Sequence, residues 1–152
     1  MKNRGYTYVE LIAVAAILSV LAAAIIPLSY TVIKKKKEIE LMEALRTIRT
    51  AIDEYKKLAD QKKIKVEDPE KTMGYPPNLE ILVEGVELAD GSGKKIKFLR
   101  RIPLDPMTNS YDWGLRSYQD EPDSEAWGGE NVYDVYTKSP EVGLNGIPYK
   151  KW

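Results

Sequence analysis

The chain has 152 residues with 23 basic and 23 acidic side chains, and it contains neither cysteine nor histidine. That length suits one small domain plus an added apolar segment, and the balanced charge argues against a nucleic-acid partner held by electrostatics. The missing cysteine excludes disulfides, thiolate chemistry, cysteine-bound metal and lipidated cysteine, and the missing histidine removes the commonest general base, so a non-enzyme is expected.

The first element is the apolar stretch MKNRGYTYVELIAVAAILSVLAAAIIP, and residues 6–33 carry a single charged side chain, Glu10. Residues 11–28 are apolar on every face apart from Ser19. Such a run has membrane-spanning length, which disfavours a helix buried in a globular core. In one reading it is a secretory signal peptide, with Lys2 and Arg4 as the basic region and Ala22, Ala23 and Ala24 as the cleavage site. Glu10 would then fall inside the hydrophobic region, and the mature chain would begin at Ile25. In a second reading it is a plain anchor, whose basic flanks at Lys2 and Arg4 and at 34–37 give opposed orientation signals.

A third reading accounts for the acid. Gly5-Tyr6-Thr7-Tyr8-Val9-Glu10-Leu11 resembles the class III signal of type IV pilins and of the pseudopilins of type II secretion. The resemblance implies cleavage by a prepilin peptidase after Gly5. That leaves a leader of residues 1–5 and makes an N-methylated Tyr6 the first mature residue, where the family usually has phenylalanine. It further implies that Glu10 pairs, within a filament, with the N-terminal amine of an adjacent subunit. Removing one member of a buried ion pair strands the other at a cost of ~3–5 kcal/mol, an asymmetry that suits a device for setting register. Residues alone leave open an interfacial acid that snorkels to water. Pro27 lacks the N–H that would bond the carbonyl of Ala23 and crowds it, which predicts a kink or local unwinding. The family commonly has proline there, and Glu10 and Pro27 are the assembly residues the resemblance implies.

The helix does not end with the apolar run. Leu41, Leu45, Ile48, Ile52, Tyr55 and Ala59 recur at alternating spacings of four and three, with Glu40, Glu43, Arg46, Arg49, Asp53 and Lys56 facing away. No glycine lies between Gly5 and Gly74. One helix is predicted over 6–60, its half 6–33 lying in the membrane or filament core and its half 34–60 being amphipathic. The stripe is short for a coiled coil, so it is expected to pack on the chain's own C-terminal domain. Lys34, Lys35, Lys36 and Lys37 read as a solvated basic collar.

The remaining residues, 61–152, read as a globular domain. The charged stretch 61–71 is expected to be an exposed connection. YPPNLEILVEG predicts a short helix over 79–83 with Asn78 as N-cap, ending before Gly85. Asp90-Gly91-Ser92-Gly93 is turn chemistry. Strands are predicted over 112–118 and 131–137, joined by the acidic loop 119–130, whose carboxylates lack EF-hand spacing and read as solvated. The expected fold is α+β: a long N-terminal helix packed by its C-terminal half against a small antiparallel sheet. Trp113, Trp127, Tyr133, Tyr136 and Trp152 are the candidate aromatic core.

This half is also similar to a family. RRIPLDPMTNSYDW resembles the segment before the first strand of major pseudopilins, YPPNLEILVEG the element after the stem helix, and DVYTKSPEVG the final strand and its loop. The resemblance implies a type IV pilin-like fold and a structural subunit that polymerises into a periplasmic pseudopilus driving type II secretion. It implies a single-pass inner-membrane protein with its globular domain in the periplasm. Its partners would be copies of itself in a helical filament, minor pseudopilins, the inner-membrane assembly platform, the prepilin peptidase, and membrane lipid before assembly. Major pseudopilins commonly hold calcium in the last loop. Here KSPEVGLNGIPYKKW offers Ser139, Glu141 and Asn145, with Lys150 and Lys151 where acids are expected. Calcium takes six to eight oxygens, so no metal or cofactor is expected, the alternative being a weak site of backbone carbonyls. The chain has no phosphate-binding loop. Two other readings stay open: a type IV pilin of a surface fibre, disfavoured by the missing cysteines, and a membrane-anchored periplasmic binding module for carbohydrate.

Overall fold

The computed structural model describes residues 7–152, apart from the side chains of residues 24–29. The chain is α+β and divides after Lys36 into two compact units, Met1–Lys36 and Lys37–Trp152. Helix α1 spans Tyr8–Asp60 and contributes to both units. Two short helices follow, α2 (Pro69–Thr72) and α3 (Glu80–Glu84), then strands β1 (Val86–Glu87), β2 (Lys95–Ile96), β3 (Gly114–Arg116) and β4 (Asp134–Tyr136), and a 3-10 turn at Tyr149–Lys151.

Helix α1 starts at Tyr8 rather than at residue 6, because Thr7 caps it. Thr7 Oγ1 accepts the N–H of Glu10 at 3.3 Å, and the Thr7 carbonyl accepts that of Leu11 at 3.1 Å. Thr-x-x-Glu is the sequence of a capping box, and an acid in the first turn suits the helix dipole. The helix runs through Pro27 without interruption. The unwinding expected there does not occur: proline removes one N–H from the ladder, and the bonds of the neighbouring turns carry the helix past it. At its other end Lys62 adopts a left-handed φ of 53°. Its N–H bonds to Ala59 O at 2.9 Å and that of Lys63 to Leu58 O at 2.9 Å, the paired bonds of a Schellman stop.

In the first unit every side chain over residues 7–23 is exposed, including Val9, Leu11, Ile12, Ile17, Leu18, Val20 and Leu21. The one hydroxyl among these aliphatics, Ser19 Oγ, donates to Ala15 O at 2.8 Å, so its polar hydrogen is satisfied inside the helix without water. Among the described residues no helix is long and apolar enough to cross a membrane. The run expected to do so, 11–28, passes through residues 24–29, whose side chains lie outside the described ones.

In the second unit Leu41, Leu45, Ile48, Ile52 and Tyr55 are buried, and Ala59 packs at the margin. They share one core with Leu82, Leu99, Trp113, Val132 and Val135, so the stripe packs on its own domain rather than on a coiled-coil partner. The stretch 61–71 is not simply an exposed connection. Ile64 is buried and forms a bridge with Leu88, and α2 closes the segment with Asp68 Oδ1 accepting the N–H of Lys71 at 3.1 Å. An isolated isoleucine among lysines carries no periodicity, and only pairing with a distant segment buries it. Helix α3 lies one residue from its predicted span, with Asn78 Oδ1 accepting the N–H of Ile81 at 2.9 Å. It stops at Gly85, which has a φ of 87°, and a Cβ there would stand 2.7 Å from the Ile96 carbonyl oxygen.

The strands form two separate antiparallel pairs, β1–β2 and β3–β4, instead of one sheet. In β3–β4 the partners are Gly114 with Tyr136, Leu115 with Val135 and Arg116 with Asp134. Both strands are shorter than predicted because neighbouring backbone groups bond elsewhere. The N–H of Val132 goes to Pro76 O at 2.8 Å, and that of Tyr118 goes to Asn131 Oδ1 at 3.0 Å. Trp113 and Tyr136 are buried as expected, and Trp152 packs at the edge of the core. Trp127 and Tyr133 are not core residues, being 40% and 46% exposed. Val132 and Val135 fill the inward places near Tyr133, which instead joins Tyr75 and Tyr118 in a surface cluster with ring centroids 5.3 Å away. Trp127 lies over its own loop, its Nε1–H donating to Asn131 O at 2.8 Å.

Gly114 gives a direct test of this packing. An added Cβ would sit 2.3 Å from the Tyr136 ring, whose face supports the Arg116 guanidinium at 4.1 Å. Gly114→Ala should therefore lower stability by roughly 1–3 kcal/mol, the usual penalty for overpacking. Equilibrium urea unfolding measures the change, and a variant as stable as the parent would refute the contact.

Candidate functional site

Of the sequence-derived site residues, Gly5 and Tyr6 lie outside the described residues. Glu10 stands in the exposed first turn of α1, its amide capped by Thr7, and its carboxylate has no partner among the described residues. Pro27 is part of the continuous helix, and its side chain falls outside the described set.

The second unit carries three polar nodes for which the sequence named no role. The first is Asp105, fully buried in RRIPLDPMTNS. Its Oδ1 accepts the N–H of Met107 at 2.8 Å, and its Oδ2 accepts the hydroxyls of Thr108 at 2.9 Å and Thr137 at 2.5 Å. One carboxylate thus shapes the turn after Pro103 and ties it to the residue following β4. An Asp between two prolines with Thr-Asn-Ser beyond it is a legible turn signal, but its reach to Thr137 is not.

The second node centres on Asp134. Arg49 Nε bonds to its Oδ1 at 2.7 Å, and Arg116 approaches its other oxygen at 3.5 Å. Arg49 Nη2 also donates to Val135 O at 3.1 Å and Trp152 O at 2.8 Å. Arg49 was expected to face away from the core. Its position beside the stripe lets the long side chain reach across, and the guanidinium fork satisfies three acceptors at once.

The third is Glu38, 2% exposed. Its Oε1 accepts the N–H of Leu144 at 2.7 Å and the hydroxyl of Tyr149 at 3.0 Å. Burial first, and the adjacent Glu38 second, push the Tyr149 hydroxyl up to about 12. The missed signal was periodicity: Glu38 lies three residues before Leu41 and continues the apolar stripe. A polar residue at a core position asks for a buried partner.

The acids of 119–130 are loop ties as well as solvated groups. Asp120 Oδ2 accepts the N–H of Ser117 at 2.7 Å and of Gly128 at 3.1 Å. Glu125 pairs with Lys150, whose ammonium holds its carboxyl below the usual range. Among the described residues no group of three or more histidines, cysteines, aspartates or glutamates is placed to hold a metal ion. Most of these polar groups bond to one another inside the unit; Glu130 Oε2 is buried without a hydrogen-bond partner. No protein-family model, curated protein or solved structure matches the chain.

Proposed function

We propose that the chain is a pseudopilin-like subunit, processed after Gly5, that polymerises through α1 into a periplasmic filament serving type II secretion. The observation that supports this most is the first unit. Aliphatic side chains are exposed over residues 7–23, and one carboxylate, Glu10, stands in the first turn. Burying a Val, Leu or Ile is worth ~1.5–3 kcal/mol, so such a surface demands lipid or other helices around it. Lipid surrounds it before assembly, and sister helices replace lipid afterwards. Since lipid is as apolar as the helix, the exchange is driven by packing and by polar pairing, which gives Glu10 its purpose opposite a neighbour's amine. Helix α1 contributes to both units, and the second is a folded α+β unit, which supports a type IV pilin-like subunit; on this reading its globular part lies in the periplasm. On this reading the prepilin peptidase, minor pseudopilins and the inner-membrane platform are its partners.

Protein purified from membranes should begin at an N-methylated Tyr6 by intact mass and N-terminal sequencing, and electron microscopy of the native assembly should show filaments confined to the periplasm. A mature chain starting at Ile25 would hand the apolar segment to the signal-peptide reading. Filaments on the cell surface would make the chain a type IV pilin.

A further inference from the structure

Major pseudopilins, which the chain resembles, commonly hold calcium in the last loop, and the donor set here does not fit it. Asn145 Oδ1 already accepts the N–H of Ile147 at 3.0 Å, and Ser139 Oγ that of Glu141 at 3.3 Å. Several carbonyls are engaged too: Glu141 O by the N–H of Tyr149, Gly143 O by that of Gly146, and Ile147 O by that of Gly143. A cation that takes six to eight oxygens would have to compete with these donors for the oxygens, beside Lys150 and Lys151.

The loop has the opposite electrostatic sense. Calcium loops turn oxygens inward onto a cation, whereas here donors converge on an anion. The N–H of Leu144 and the hydroxyl of Tyr149 both point at Glu38 Oε1, from positions 106 and 111 residues along the chain. Glu38 and Tyr149 are both buried, and the Tyr149 ring also packs edge-on against Trp152 at 5.0 Å. We infer that the buried Glu38 carboxylate fastens the terminal loop to α1 in the role a divalent cation plays in the family, so that this chain folds without calcium. A side chain of the protein itself is always present, whereas a bound cation stabilises only as far as its free concentration exceeds its dissociation constant. The loop is therefore insensitive to the supply of metal outside the cell membrane. This inference concerns folding of the second unit and holds whether or not the chain polymerises.

The test uses the full chain in detergent micelles, with thermal unfolding and amide hydrogen exchange measured in calcium chloride and in excess EGTA. The parent should have the same midpoint in both. Glu38→Ala should melt earlier, exchange the Leu144 amide at least about tenfold faster through local opening, and gain nothing from calcium. Glu38→Gln retains an acceptor oxygen and should fall between them. Tyr149→Phe keeps the ring and loses one donor, so it should melt slightly earlier with Leu144 still protected. Should Glu38→Ala fail to fold, Glu38→Gln and the calcium series on the parent decide. A midpoint that rises with calcium, or Leu144 protection unchanged in both Glu38 variants, would overturn the inference.

Discussion

Glu10→Ala should abolish filament assembly while membrane insertion, processing after Gly5 and the fold of the second unit stay as they are. Glu10 belongs to the first unit, and its contribution to the helix start is small. Thr7 supplies the cap oxygen, and an acid in the first turn is worth only ~0.3–1 kcal/mol. Insertion should become easier, because removing a carboxylate lowers the transfer cost of the segment. Assembly is different in kind: on the proposed pairing, a neighbour's buried ammonium would lose its partner, at ~3–5 kcal/mol per subunit. That penalty repeats at every subunit and is enough to prevent growth. Glu10→Gln separates the two roles. Those roles are hydrogen bonding and charge: glutamine keeps the size and hydrogen bonding of the side chain but not the charge, so assembly should fall between parent and Ala if hydrogen bonding carries part of the register. Counting filaments by electron microscopy at matched subunit levels across parent, Gln and Ala decides. Normal filaments from the Ala variant would return Glu10 to an exposed acid in the first turn of α1.

Asp105→Ala should be the most damaging single change in the second unit, lowering stability by roughly 3–4 kcal/mol. The carboxylate is inaccessible and accepts from one amide and two hydroxyls. Alanine leaves these donors unsatisfied, and hydrogen bonds to a charged group are worth ~1.5–3 kcal/mol each before any relaxation. It also unties the turn from Thr137, so the β4 end should loosen with it. Asp105→Asn keeps the volume and one acceptor oxygen, but its NH2 faces donors, so about half the loss is expected. Urea unfolding of the full chain in micelles, read by tryptophan fluorescence, measures both. Less than about 1 kcal/mol lost in the Ala variant, in the range of ordinary surface changes, would show that Asp105 is not a structural tie.

The stem helix was legible because its information is local. The period of Leu41, Leu45, Ile48, Ile52 and Tyr55 names its buried face, and Asn78 before a short apolar run names the start of α3. The start at Tyr8 is equally local, set by the Thr7 hydroxyl that caps the amide three residues on. Strand lengths were overestimated for a different reason. A run of strand-favouring residues reports propensity, while the ladder extends only where a partner's backbone is free, and here Pro76 and the Asn131 side chain claim it first.

What the sequence determined by itself was therefore the apolar half with its one acid, the helix and its buried stripe, and the α+β class. What only the tertiary structure decided was which polar residues are structural. Glu38 meets Leu144 across 106 residues, Arg49 meets Asp134 across 85, and Asp105 meets Thr137 across 32. It also decided that Ile64 is buried while Trp127 and Tyr133 stay near the surface. Hydrophobic periodicity is a property of neighbours along one element and survives in the order of residues. A buried polar contact is a property of two distant segments, and it exists only once the core between them has closed.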